Sequence, residues 1–82
     1  MKKRATIRPK DRKTKLQIAF GKTLRSKRLD LGLSQEQLAE VAEMHFTYVS
    51  SVERGERNIS LENIAKLAKA LQCSIQSLVE GL

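Results

Sequence analysis

Thr47, Ser50, Ser51 and Arg54 fall at the three- and four-residue spacing that puts side chains on one face of a helix. Phe46 opens the same segment. A solvated helix face ordinarily carries Lys, Glu and Arg in pairs four residues apart. This face is short-chained and nearly uncharged over its first half. Close approach of another surface explains such a face better than solvent does. Catalysis is not the chemistry on offer. His45 and Cys73 are the single histidine and the single cysteine, so neither has a second metal ligand of its kind, and no metal site is expected. The sequence also holds no clustered carboxylates and no glycine-rich phosphate loop. It predicts a binding protein that is not an enzyme and needs no cofactor.

The elements that must carry this face are helices. Ser34-Gln35-Glu36-Gln37 has the spacing of a capping box, with the Ser cap and a Gln that reaches back. It predicts a helix over about 34–42 that buries Leu38, Ala39 and Ala42. A break at Glu43-Met44-His45 follows, then a helix over about 46–54 that buries Val49 and Val52 and stops at Gly55. Both helices are too short to persist alone, so they must share a core. Thr14-Lys15-Leu16-Gln17 is another capping box. It predicts a first helix to about 31, with Leu16, Phe20, Leu24 and Leu31 on one stripe beside Arg28. Ser60 is expected to cap a fourth helix that buries Leu61, Ile64, Leu67, Ala68 and Leu71. Ser74 is expected to cap a last one with Ile75, Leu78 and Val79 on one side. Cys73, between Leu71 and Ile75, reads as core. One Pro and four Gly leave little punctuation for strands.

At 82 residues the chain is one domain with a thin core. The formal charge of +7 is concentrated at one end. Residues 1–15 hold eight of the sixteen basic residues and only Asp11 of the nine acidic ones. The eight remaining bases are matched by eight acids. Residues 1–13 therefore read as a flexible basic arm, drawn to a polyanion, and 14–82 as the folded domain. A solvated tail is the plain alternative. A lone cysteine suits a reduced cytoplasmic setting. No apolar run approaches the roughly 20 residues of a membrane span, and the basic start lacks the apolar centre of a signal peptide.

The stretch SKRLDLGLSQEQLAEVAEMHFTYVSSVERGERNISL resembles the helix-turn-helix of the Cro/repressor superfamily. Within it, TYVSSVERGERNISL is most similar to controller proteins of restriction–modification systems. The likeness covers about Phe20 to Val79 and omits the arm. It implies an all-α, compact five-helix repressor-like domain that docks its third helix in the major groove of double-stranded DNA. Under this likeness Gln35 binds a backbone phosphate at a helix N-terminus. Phe46, Thr47, Ser50 and Ser51 face base edges or flanking phosphates, with Arg54 beyond them. Tyr48 donates its hydroxyl to a phosphate, or else is a half-buried packing residue. Arg57 and Asn58 grip the backbone from the following loop. Arg28 and Glu53 form a buried ion pair.

Four positions depart from the family pattern. Glu43 and Gln72 stand where a turn usually has Gly (or, at the first, Asn), and His45 stands where Ser or Asp is common. Phe46 replaces a frequent arginine, so it offers apolar contact, as to a thymine methyl, in place of a bidentate grip on guanine. It either reaches the groove or folds back as core.

The reading that follows is a sequence-specific transcription regulator, a homodimer on a pseudo-palindromic operator. Gln76, Val79 and Leu82 are its expected dimer contacts unless that end is frayed. The chain closes soon after its last helix, so control by protein concentration is expected and no small-molecule effector. An antitoxin-like protein, or a phage-type repressor acting with a protein partner, is the alternative.

Overall fold

Side-chain hydroxyls open four of the five helices in the computed structural model, which describes residues 13–82. The Gln17 backbone N–H donates to Thr14 Oγ1 at 3.0 Å, and the Thr14 N–H donates to Gln17 Oε1 at 2.9 Å. This box starts α1 (Lys15–Asp30). Ser34 and Gln37 form the same box, at 3.0 and 2.8 Å, at the head of α2 (Gln35–Ala42). The Asn63 N–H donates to Ser60 Oγ at α4 (Leu61–Ala70), and the Ser77 N–H donates to Ser74 Oγ at α5 (Ile75–Val79). Each cap satisfies a backbone donor that the helix cannot, and contributes about 1 kcal/mol. The exception is α3 (Phe46–Glu53), whose capping residue His45 makes no side-chain bond to it.

Helix α3 packs against α1 on one side and α2 on the other; α2 rests on α4, and α5 closes against α4 and α1. The side chains of Leu24, Leu38, Val49, Val52, Leu67 and Leu78 meet at the centre, shut off from water. The backbones of α1 and α3 come unusually close. A Cβ on Gly21 would lie 2.5 Å from the Val52 carbonyl oxygen and 2.6 Å from that of Glu53. Only a residue without a side chain lets the two helices meet here.

Several apolar residues expected in the core lie outside it. Leu16, Leu31 and Ile75 are exposed, and Leu61 is 78% exposed. Each sits at or just past the end of its helix. Periodicity fixes the face a residue shares, but burial also needs a neighbouring helix, and the neighbours cover only the middle turns. Cys73 is half-buried and packs on the edge of the core. Glu43 and Gln72, the non-glycine residues at turns, both take the left-handed conformation at φ 58°. That geometry ends α2 and α4 sharply and costs about 1–2 kcal/mol at each residue with a Cβ. Apart from Lys13, the basic arm expected over 1–13 lies outside the described residues. None of the described helices is long and apolar enough to cross a membrane.

Candidate nucleic-acid interface

Burying Val49 and Val52 turns the opposite face of α3 outward. Thr47 and Arg54 are exposed there, and Ser50 is half-exposed between them. The Arg54 guanidinium donates to Ser50 Oγ and pairs with Glu56 Oε1 at 3.0 Å. The hydrogen bond from Arg54 to Glu56, opposed by slight desolvation and aided by the charges of Arg54, Lys13 and Arg57, holds the Glu56 carboxyl below its usual range. Phe46 is 43% exposed and stands at the mouth of an open cleft with Arg25, Ser34, Gln35 and Glu36. It has not folded back as core.

Ser51 departs from the expected reader position. It is only 7% exposed. Its hydroxyl donates to the Tyr48 carbonyl at 2.9 Å and accepts from Arg57 Nε at 3.1 Å. One turn of α3 thus carries a serine on its inner flank, because the buried arc, Val49 and Val52, extends on to residue 51. Tyr48 is half-buried. Its phenol oxygen accepts from Asn63 Nδ2 at 3.0 Å, and the Arg57 guanidinium lies 5.4 Å from its ring centroid. A cation over an aromatic face at this distance is attracted to it. Arg57 and Asn58 are exposed beyond the end of α3.

Beneath the outward face lies a nearly dry charge pair. Arg28 Nε is 2.6 Å from Glu53 Oε2 and Nη2 is 3.0 Å from Oε1, with 7% and 3% of the two side chains exposed. Arg28 Nη1 also donates to the Leu33 carbonyl at 2.8 Å. The bond to Glu53 holds the Arg28 guanidinium above its ordinary range, against burial, which opposes it. Gln35 joins this network: its Nε2 donates to Glu53 Oε1 at 2.9 Å. One bidentate pair therefore ties α1, the start of α2 and the end of α3 together. Gln35 is the first residue of α2, and its side chain is engaged inward.

Val79 and Leu82 line an apolar cleft of about 310 Å³ together with Leu16, Phe20, Ile59 and Ile64. Gln76 is exposed and does not line it. Among the described residues no three potential metal ligands gather.

Residues 24–78, two thirds of the chain, match the family model described as helix-turn-helix. The chain belongs to the helix-turn-helix family. It is 50% identical over 60 residues to control protein C.SmaI of Serratia marcescens, covering 73% of this chain and 71% of that one. It is 42% identical over 66 residues to control protein C.BamHI of Bacillus amyloliquefaciens, covering 79% and 82%. Among solved structures it is similar to the restriction–modification controller protein C.AhdI from Aeromonas hydrophila, with a TM-score of 0.75 and 48% identity over 76% of this chain and 94% of that one.

Sequence reasoning passed over two residues that support this face, and only the first carried a signal. Gly21 interrupts a helical run, where a glycine costs about 1 kcal/mol relative to alanine, and that cost was the sign of a packing reason. Asn63 reaches Tyr48 across fifteen positions, and no local pattern announces such a contact.

Proposed function

We propose that this chain is a DNA-binding transcription regulator of the controller type, acting as a homodimer on a pseudo-palindromic operator. The observation that carries the reading is the outward face of α3. Phe46, Thr47 and Ser50 are presented to solvent there, while Val49, Val52 and the Arg28–Glu53 pair lock the helix from behind. A short polar helix held that rigidly suits insertion into the major groove. The relatives named as control proteins support the regulatory role.

In this reading Thr47 and Ser50 contact base edges, and Phe46 offers its ring to an apolar edge such as a thymine methyl. Arg54, Arg57, Asn58, Tyr48 and the α2 N-terminus at Gln35 contact phosphates. Ser51 serves from inside the domain. Phosphate contacts set register and affinity, and base contacts set sequence. One such domain makes few base contacts, and two-fold pairing doubles them. Val79 and Leu82, facing the apolar cleft, are the proposed dimer contacts, with Gln76 at their margin. The basic residues of 1–13 add sequence-independent attraction to DNA. Selection of the purified protein against a randomised duplex library tests the reading. Paired half-sites about 10 bp apart, or roughly 34 Å, are expected; failure to enrich any paired site refutes it.

A further inference from the structure

The loop after α3 is ordered by a side chain that never reaches its surface. Arg57 Nε is bonded to the buried Ser51 hydroxyl, which in turn is fixed by its own bond to the Tyr48 carbonyl. With Nε so engaged, both terminal nitrogens of the guanidinium remain as donors, bonded to none of the described residues. Their plane lies over the Tyr48 ring. The Tyr48 oxygen already accepts from Asn63 Nδ2. A phenol has one proton, and an amide N–H pointing at its oxygen forces that proton to turn away from Asn63. Two kinds of donor, a guanidinium edge and a hydroxyl, are therefore set side by side with their bonds inward already made. An oxyanion with several acceptor oxygens, such as a phosphodiester, matches that pair.

We propose that Ser51 and Asn63 are positioning residues for a phosphate clamp made by the Arg57 guanidinium and the Tyr48 hydroxyl. The inference rests on the DNA-binding reading above. Ser51 selects one rotamer of a long exposed side chain, and Asn63 aims a proton. Both reduce the ordering that binding would otherwise have to impose. The clamp ignores base sequence, so it acts on any duplex.

The test uses the full chain and a mixed-sequence DNA duplex titrated over a range of salt, alongside thermal unfolding of each variant. Arg57→Ala is expected to lower the salt slope by about 1. Ser51→Ala is expected to weaken binding by about fivefold, the worth of one hydrogen bond, and to add nothing further in the Arg57→Ala background. Asn63→Ala is expected to weaken binding in the same way and to add nothing in the Tyr48→Phe background. Asn63 lies at the domain's margin, so this second cycle stands even if Ser51→Ala fails to fold. Additive losses in the cycles that fold would overturn the clamp. So would Ser51→Ala and Asn63→Ala proteins that melt lower yet bind with wild-type affinity, the mark of a merely structural role. If the wild-type protein binds no duplex, the DNA-binding reading falls and takes the clamp with it. If it binds and both positioning variants are silent, the clamp alone falls.

Discussion

Arg28 and Glu53 hold each other by two bonds, at 2.6 and 3.0 Å, across 25 positions of sequence and almost out of contact with water. The pair fixes the angle between the helix that leads into the domain and the helix that faces outward. Removing one partner leaves an uncompensated buried charge, which costs about 3–5 kcal/mol. Small domains have a net stability of only about 5–15 kcal/mol. Glu53→Ala should therefore appear as a collapse of the thermal transition in circular dichroism. Intact melting with reduced DNA affinity alone would contradict the structural role. The raised Arg28 pKa contributes stability below arginine's ordinary range and loses it only as pH climbs through the raised value, so this arginine adds no pH dependence near neutrality.

Gly21→Ala should destabilise the domain by about 1–3 kcal/mol, because the added methyl meets two carbonyl oxygens that belong to backbone and cannot swing aside. The better helix propensity of alanine offsets only part of this. Urea unfolding at constant slope is the measurement; a stabilised variant would show that α1 and α3 have room to separate.

Glu43→Gly is expected to stabilise by about 1 kcal/mol, since glycine takes φ 58° freely but also gains freedom in the unfolded chain. For a domain of this size that is roughly 4–8 °C in Tm. DNA affinity at fixed protein concentration should not move.

Glu56 bridges Arg54 and Lys13, at 3.0 and 4.0 Å. Its carboxyl is held low chiefly by the hydrogen bond from Arg54. A depressed carboxyl contributes above the ordinary carboxylate range and loses its contribution as pH falls through the lowered value. Glu56→Gln should flatten that acid limb slightly. It should also free Arg54 and raise DNA affinity, by less than about fivefold because the pair is exposed and screened. An affinity that falls instead would mean that Glu56 positions Arg54 and does not restrain it.

Deleting residues 1–13 removes seven bases and one acid. The slope of log affinity against log salt should become shallower, by about 0.9 for each phosphate that is no longer neutralised. An unchanged slope would assign those residues no part in binding.

The sequence made the helices legible because their start signals are local. Both capping boxes lie within four residues, and both are formed. The two odd turns were marked only by the family likeness: Glu43 and Gln72 stand where its turns usually have glycine, which left the shape of the break open, and both adopt the glycine conformation. What sequence could not supply was tertiary. Leu16, Leu31, Leu61 and Ile75 obey the helical period yet stay exposed, because period says nothing of how far a neighbour extends. Ser51 shares a spacing with Thr47, Ser50 and Arg54 but sits on the border of that arc, where the fold decides in or out. Its tie to Arg57, and that of Tyr48 to Asn63, exist only once α3, the loop and α4 are assembled.

The two left-handed turns lie away from the outward face of α3: Glu43 borders a cleft with Lys66 and Lys69, and Gln72 joins α4 to α5. How long a molecule survives and what it grips are thus written in different residues. In a cell, a change of about 1–2 kcal/mol in folding stability alters abundance severalfold through proteolysis of the unfolded fraction. For the regulator proposed above, these two positions act as a dial on dose, turned without rewriting the address.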